Sequence, residues 1–190
     1  MINALRLFLG AALTLFFING VQADSYSETK QVFMNAGESG AFFSNNYGYA
    51  LFPTIGKGGM GVGGAHGSGR VYVNGAHVGD TKMTQLSIGW QLGGQAYSQI
   101  IFFEDKRAFE DFSSGNFEFG AQATAVAITA SAGAGANTGG GTQTSVAGGK
   151  NDASTASLGY RKGMAVFTVD KGGLMYEATV AGQKYSYTPK

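Results

Sequence analysis

The sequence predicts a mainly-β α+β domain, a curved antiparallel sheet forming a small, partly closed β-barrel with short helices on its flanks. Three observations predict it. After Tyr47 apolar and polar residues alternate with a period of two, as in Leu86, Ile88, Trp90 and Leu92 against Gln85, Ser87, Gly89 and Gln91. Glycine, 32 of 190 residues, is scattered through that alternation, which suits bent and bulged strands. Helical spacing is confined to short stretches before Asn46 and at Glu104 to Ser113.

The first residues stand apart from the fold. Met1 to Ala23 carries Arg6, an apolar run from Leu7 to Phe17 and the small residue Ala23. That is the pattern of a secretory signal peptide cleaved before Asp24. The run is short for a membrane span, so an uncleaved anchor is the lesser alternative. A single domain is then expected over residues 24–190.

Ser25-Tyr26-Ser27-Glu28 has the form of a capping box and predicts a helix from Tyr26 to Ala36, stopping at Gly37. A further turn or two over Ser39 to Asn45 would bury Phe42 and Phe43. Tyr47 to Pro53 reads as a strand ending at the proline. Asn74-Gly75, between Gly69 to Val73 and Ala76 to Val78, is the strongest short hairpin signal in the chain. Gly93-Gly94 marks a bulge or bend. Ile100 to Phe103 is apolar on both faces and needs cover on both. The Glu104 to Ser113 helix sets Ala108, Phe109 and Phe112 against charges and ends at Gly115. Phe117, Phe119, Ala121, Ala123 and Ala125 resume one strand face.

Ala132 to Ser157 is low-complexity and lacks the apolar surface to offset its ordering entropy. It reads as a mobile loop between two strands. Met164 to Val169, a turn at Lys171-Gly172-Gly173, Leu174 to Val180 and, after Gly182, Lys184 to Thr188 complete roughly seven to nine antiparallel strands.

Composition excludes several functions. No cysteine is present, so there is no disulfide, thiolate metal site or cysteine nucleophile. The net charge of +1 falls to zero once Arg6 leaves with the leader, which argues against a dedicated nucleic-acid binder. Two G-x-G-x-x-G matches, Gly56-Gly58-Gly61 and Gly59-Gly61-Gly64, follow a strand but open no helix, so they read as a bulge or tight turn. The hairpin could bring His66 and His77 together, but no third ligand is near, and two hydrogen-bonded or surface histidines is the better reading. Ser68 lies two residues after His66, outside any nucleophile elbow. Glu104, Asp105, Glu110 and Asp111 alternate with Lys106 and Arg107, as on a solvated helix face. No nucleophile, base and oxyanion site gather, so the expectation is a non-enzyme without metal or cofactor. Among the basic residues, which also include Lys106, Arg107 and Lys162, Lys57, Arg70, Lys82 and Lys171 are the candidates for contact with lipid headgroups. Lys57, Lys82 and Lys171 are expected at turns, and the group on one rim.

Several blocks resemble the SYLF domain family: Tyr47-Gly-Tyr-Ala-Leu-Phe-Pro-Thr-Ile-Gly-Lys-Gly-Gly-Met-Gly-Val-Gly-Gly-Ala-His66, Gly69-Arg-Val-Tyr72, Val78-Gly-Asp-Thr81, Ser87 to Ala96, Phe117 to Gln122 and Lys171-Gly-Gly-Leu-Met-Tyr-Glu177. Together they span nearly all of residues 24–190. The resemblance implies a curved, barrel-like sheet with flanking helices and binding to membrane lipid. In eukaryotic members it implies phosphoinositide membranes and, in fungi, actin. Those members use a basic amphipathic N-terminal helix, whereas Asp24 to Asn46 here holds one basic residue, Lys30.

The expectation is therefore an exported, periplasmic or secreted module that binds anionic phospholipid. A structural or protein-interaction role in the cell envelope is the alternative. An integral outer-membrane barrel and a hydrolase are weaker ones. No nucleic acid is expected as a partner, and no actin in its own compartment.

Overall fold

The computed structural model describes residues 18–89, 95–121, 123, 125–128, 159–171 and 180–190. The loop at 132–157, the bend at Gly93-Gly94, Trp90 and the strand expected over Leu174 to Val180, apart from Val180 itself, lie outside the described residues.

The chain opens with α1 (Ile18–Asn35), then α2 (Gly37–Gly40) and a 3₁₀ turn at Ala41–Ser44. The strands are β1 (Gly48–Val73), β2 (Ala76–Gly89), β3 (Gln95–Phe103), β4 (Phe117–Glu118), β5 (Val126–Ile128), β6 (Met164–Asp170) and β7 (Lys184–Pro189). Helix α3 (Lys106–Phe112) lies between β3 and β4. All seven strands join one sheet in the order β4-β7-β2-β1-β3-β6-β5, which curls into a half-barrel.

Every pairing is antiparallel except β5 with β6, which is parallel. The expectation of a wholly antiparallel sheet is corrected there. Residues 129–163 connect the two strands, long enough for the return that parallel neighbours require.

Strand β1 runs through Pro53, where a strand end was expected. The register with β3 shifts between Phe52 and Ile55, and that irregularity absorbs a residue with no N–H to give. β3 pairs with residues 48–57 of β1 and β2 with residues 61–73, so the two neighbours use separate halves. Those halves lie against each other. The rings of Tyr49 and Tyr72 stack at 5.0 Å, and side chains added at Gly48, Gly69 and Gly67 would strike Val73, Phe52 and Ile55. The pairs 48/73, 52/69 and 55/67 share a centre near residues 60–61. β1 thus doubles back within its glycine-rich stretch, where Gly59 has φ 145°.

The hairpin after it is as expected: Asn74 (φ 50°) and Gly75 (φ 79°) form a two-residue turn with both φ positive. Gly115 and Gly182 likewise take positive φ where helix and strand turn.

Alternation along the strands sorts two cores. On the concave face lie Phe52, Ile55, Val71, Met83, Ile101, Phe103, Val166 and Tyr185, closed by Ala108 and Phe112 of α3. On the convex face Leu51, Ile100, Phe102 and Phe167 pack under Phe33 of α1 and Phe42 of the 3₁₀ turn. Phe42 stacks on Phe102 at 5.5 Å, and Phe43 meets that ring edge-on at 4.9 Å. β3 is buried from Tyr97 to Phe103 because both cores need it, which explains its unbroken apolar run.

Four local expectations are corrected. α1 already begins at Ile18, so Ser25-Tyr26-Ser27-Glu28 lies inside the helix and does not cap it. The helix stops at Asn35, and Ala36 in extended conformation starts α2. The strand expected over Phe117 to Ala125 divides into β4 and β5 at a turn in which Ala123 N donates to Gly120 O (3.0 Å). Phe117, Phe119, Ala123 and Ala125 nonetheless all pack on the concave core. Leu86 is 86% exposed, not buried, because it shares the outward face of β2 with Lys82 and Thr84, opposite to Met83.

Helix α3 follows its expected form. Asp105 caps it by accepting from Ala108 N (2.8 Å), and Lys106–Glu110 and Arg107–Asp111 pair one turn apart on the exposed side. Asp105→Ala is expected to destabilise the protein by about 1 kcal/mol, read as a shift in urea unfolding midpoint.

Candidate functional site

The four basic residues chosen from sequence do not form one rim. Lys57 and Lys171 share one end of the sheet. Lys57 opposes Gln95, and Lys171 donates its N–H to Ala96 O (2.9 Å) and its ammonium to Thr54 Oγ1 (3.1 Å). Arg70 and Lys82 lie on the convex face, at the positions opposite Asp80 and Ser68. Of the three lysines expected at turns, only Lys171 follows a strand end. Lys57 is within β1 and Lys82 in the middle of β2.

Arg70 is already engaged. Its guanidinium lies 4.2 Å from the centre of the Tyr26 ring, pinning α1 to the sheet. Lys30, the lone basic residue of the N-terminal stretch after Asp24, sits 5.9 Å from the Tyr49 ring centre. Both cations serve the helix–sheet joint.

Lys82 is placed differently. Met83 and Tyr185 turn into the concave core, so their neighbours Lys82, Thr84, Lys184 and Ser186 face outward. Thr84 stands opposite both His66 and Lys184, and Lys82 opposite Ser186. Glu118 of β4 completes the row, 3.4 Å from the Lys184 ammonium. These side chains, with Gly115 and Asn116 after α3, line a cleft of about 440 Å³. Two ammonium groups against one carboxylate leave it cationic, with the His66 imidazole beside them. Hydroxyls of Thr84 and Ser186 and the amide of Asn116 supply neutral donors. Such a cleft can hold an anionic oxygen group, with hydrogen bonds to fix its orientation.

Sequence reasoning missed Lys184 and set His66 aside. The alternation of Lys184 and Ser186 with Tyr185 and Tyr187 marks them as outward-facing. What it does not carry is the pairing of β7 with β2, which joins residues about a hundred positions apart. His66 and His77 are not brought together. His66 opposes Thr84, while His77 opposes Tyr72 near the hairpin tip and bonds Gly79 O and Asp80 Oδ1, each at 3.0 Å.

The concave interior carries a second polar group. Gln99 Nε2 donates to Gln183 Oε1 (3.0 Å) and to the Tyr185 hydroxyl (2.7 Å), and Gln183 Nε2 donates to the Tyr97 hydroxyl (3.1 Å). Tyr185 in turn donates to Gln183 Oε1. These bonds run from β3 to β7 and the residue before it, across the half-barrel. Among the described residues, Gln99 Oε1 and Thr168 Oγ1 are buried without a partner. Each such orphan costs about 1–3 kcal/mol if nothing meets it.

Burial raises the Tyr97 phenol well above its usual range, the bond from Gln183 pulling the other way. It raises Tyr185 strongly too, opposed by the bond from Gln99. Unfolded tyrosine titrates near pH ~10. With folded values above that, the folded state holds protons the unfolded chain has lost. Stability from these groups is complete below pH ~10 and falls as pH rises through the folded values. Urea midpoints are expected to hold level from pH ~8 to ~9.5 and then drop, with a shallower drop in Tyr185→Phe.

The family described as "Ysc84: Las17-binding protein actin regulator" matches residues 84–187. The chain belongs to the SYLF (Ysc84) family. The match takes in β3, α3, β4, β5 and β6 with the end of β2 and the start of β7, including Thr84, Glu118 and Lys184 of the cleft. Over 146 residues the chain is 30% identical to beta cell expansion factor A of Aeromonas veronii. That alignment covers 75% of this chain and 46% of the relative, so this SYLF chain spans about half the length of the curated protein it matches.

Proposed function

We propose that this SYLF protein is an exported, non-catalytic module that binds anionic phospholipid through the convex-face cleft. The observation that carries the reading is the gathering of Lys82, Lys184 and His66, with neutral donors between them, on one outward strand face. An anionic headgroup presents the charge and acceptor oxygens that such a surface complements. The family is linked to membrane lipid in its eukaryotic members. The basic helix those members use is not matched in α1 after Asp24, whose one basic residue, Lys30, is turned to the Tyr49 ring. Lys57 and Lys171 would form a second, weaker contact at the end of the sheet.

Export rests on the leader pattern of Met1 to Ala23. Among the described residues no helix is long and apolar enough to cross a membrane. An exported chain would meet neither phosphoinositides nor actin in its own cell, its neutral charge balance argues against nucleic acid, and an envelope protein is the alternative partner.

The test is co-sedimentation of the purified protein with phosphatidylglycerol vesicles and with phosphatidylcholine vesicles at low salt. Pelleting with the first and not the second is expected. Equal recovery with both, or with neither, would refute the proposal. Fractionation of the native cell addresses export: release by osmotic shock is expected, and retention with the cytoplasm counts against it.

A further inference from the structure

We infer that the half-barrel encloses a binding site for one small neutral hydroxyl group, held between Gln99 of β3 and Thr168 of β6. The two residues are register partners on neighbouring strands. Both belong to the concave side, since Ile101 and Val166 two positions away lie in that core. Gln99 is fully buried and Thr168 is 1% exposed.

Their hydrogen bonding defines the occupant. Gln99 spends its amide nitrogen on Gln183 and Tyr185, which leaves Oε1 as a bare acceptor. Thr168 Oγ1, able to donate or accept, is likewise bare on the register partner. The two do not bond each other. A group that donates to Gln99 Oε1 and also bonds Thr168 Oγ1 satisfies both at once. An O–H group does this through its proton and its lone pairs. Buried polar atoms of this kind are met by a partner in nearly all folded proteins, commonly by ordered water.

Charge and size narrow the class. Among the described residues the polar side chains joined around the site are Gln99, Gln183, Tyr97, Tyr185 and Thr168, all neutral, with both phenols held protonated by burial. A carboxylate or phosphate would face the Gln99 carbonyl oxygen, and an ammonium would find no counter-charge. Phe52, Ile55 and Ile101 fill the surrounding interior, so the guest is small. Water and a short alcohol share this chemistry. The bonds from Gln99 to Gln183, and on to half-buried Gln85 (3.5 Å), give a polar route toward the surface. The inference is independent of lipid binding at the convex cleft.

The test is a high-resolution crystal structure of the full chain from alcohol-free solution, and a second after an ethanol soak. One compact density peak within hydrogen-bond distance of Gln99 Oε1 and Thr168 Oγ1 is expected in the first. A peak unchanged by ethanol identifies water; one that gains ethanol's carbon atoms identifies a site open to outside hydroxyls; either upholds the inference. An empty site, or Thr168 bonded directly to Gln99, overturns it. Water relaxation dispersion in solution should report one long-lived water that Thr168→Val removes and Thr168→Ser keeps. Should the valine variant not fold, the wild-type density alone decides.

Discussion

Replacing both cleft lysines, Lys82→Gln with Lys184→Gln, is expected to weaken binding to phosphatidylglycerol vesicles about thirty-fold while leaving thermal stability unchanged. Each Lys near an anionic surface supplies about 1 kcal/mol, and 1.4 kcal/mol is a factor of ten. Lys82→Gln alone should cost somewhat less than tenfold. Lys184 is partly offset by the Glu118 carboxylate at 3.4 Å, so Glu118→Gln should act in the opposite sense and tighten binding. That reversal matters, because general damage to the surface would not produce it. Stability should hold because Lys184 is 67% exposed and the ion pair is a surface one, of little net worth. Raising the salt should erase the difference between wild type and variant, since exposed charges are screened within about 10 Å at 0.1 M. Vesicle titration with a fluorescent lipid reads all four effects. Unchanged affinity in the double variant would move the contact away from the convex face. The opposite end of the sheet, with Lys57 and Lys171, would be the next surface to alter.

The parts of this fold that were legible in the sequence are those decided within a few residues. Asn74-Gly75 turns because both positions need positive φ, and Gly115 after α3 and Gly182 before β7 turn the chain for the same reason. α3 is readable from Ala108 and Phe112 at helical spacing, with Asp105 before them as the cap. The buried run of β3 was readable as a strand needing two covers, though not which covers. What was hidden depends on distant neighbours. The parallel pairing of β5 and β6 is set by a long connection, not by residues in either strand. Leu86 obeys the alternation but is exposed, because the strand's inward face is set by Met83 and leaves Leu86 outward with Lys82 and Thr84. Lys82 was legible as a cation. Its environment was not, because Lys184 and Glu118 reach it only through the β2–β7 and β7–β4 pairings. Arg70 shows the converse, a candidate headgroup ligand that the fold commits to Tyr26.

Gly48→Ala is expected to destabilise the protein by about 3 kcal/mol, at the upper end of the cost of overpacking. A methyl at this position lands on the Tyr72 carbonyl oxygen, with Val73 Cγ2 at 3.1 Å and Val73 Cα at 3.3 Å. Backbone atoms cannot swing aside as a long side chain can. The chain has no room to retreat, because Gly48 is also register-paired with Phe103 and Tyr47 N donates to Phe103 O at 2.8 Å. The first half of β1 is therefore clamped between β3 and its own second half. A contrast within the same strand isolates this cause. A methyl at Gly56 meets nothing within 4 Å, so Gly56→Ala should stay within about 0.5 kcal/mol of wild type. Urea unfolding of the two variants separates the explanations. If both are equally damaging, glycine is needed in β1 for backbone freedom. If neither is, the two halves do not approach as described, and the half-barrel must close in another way. A large loss at Gly48 with none at Gly56 means that close contact between the halves sets the curvature, which in turn aims Lys82 and His66 outward on one convex face.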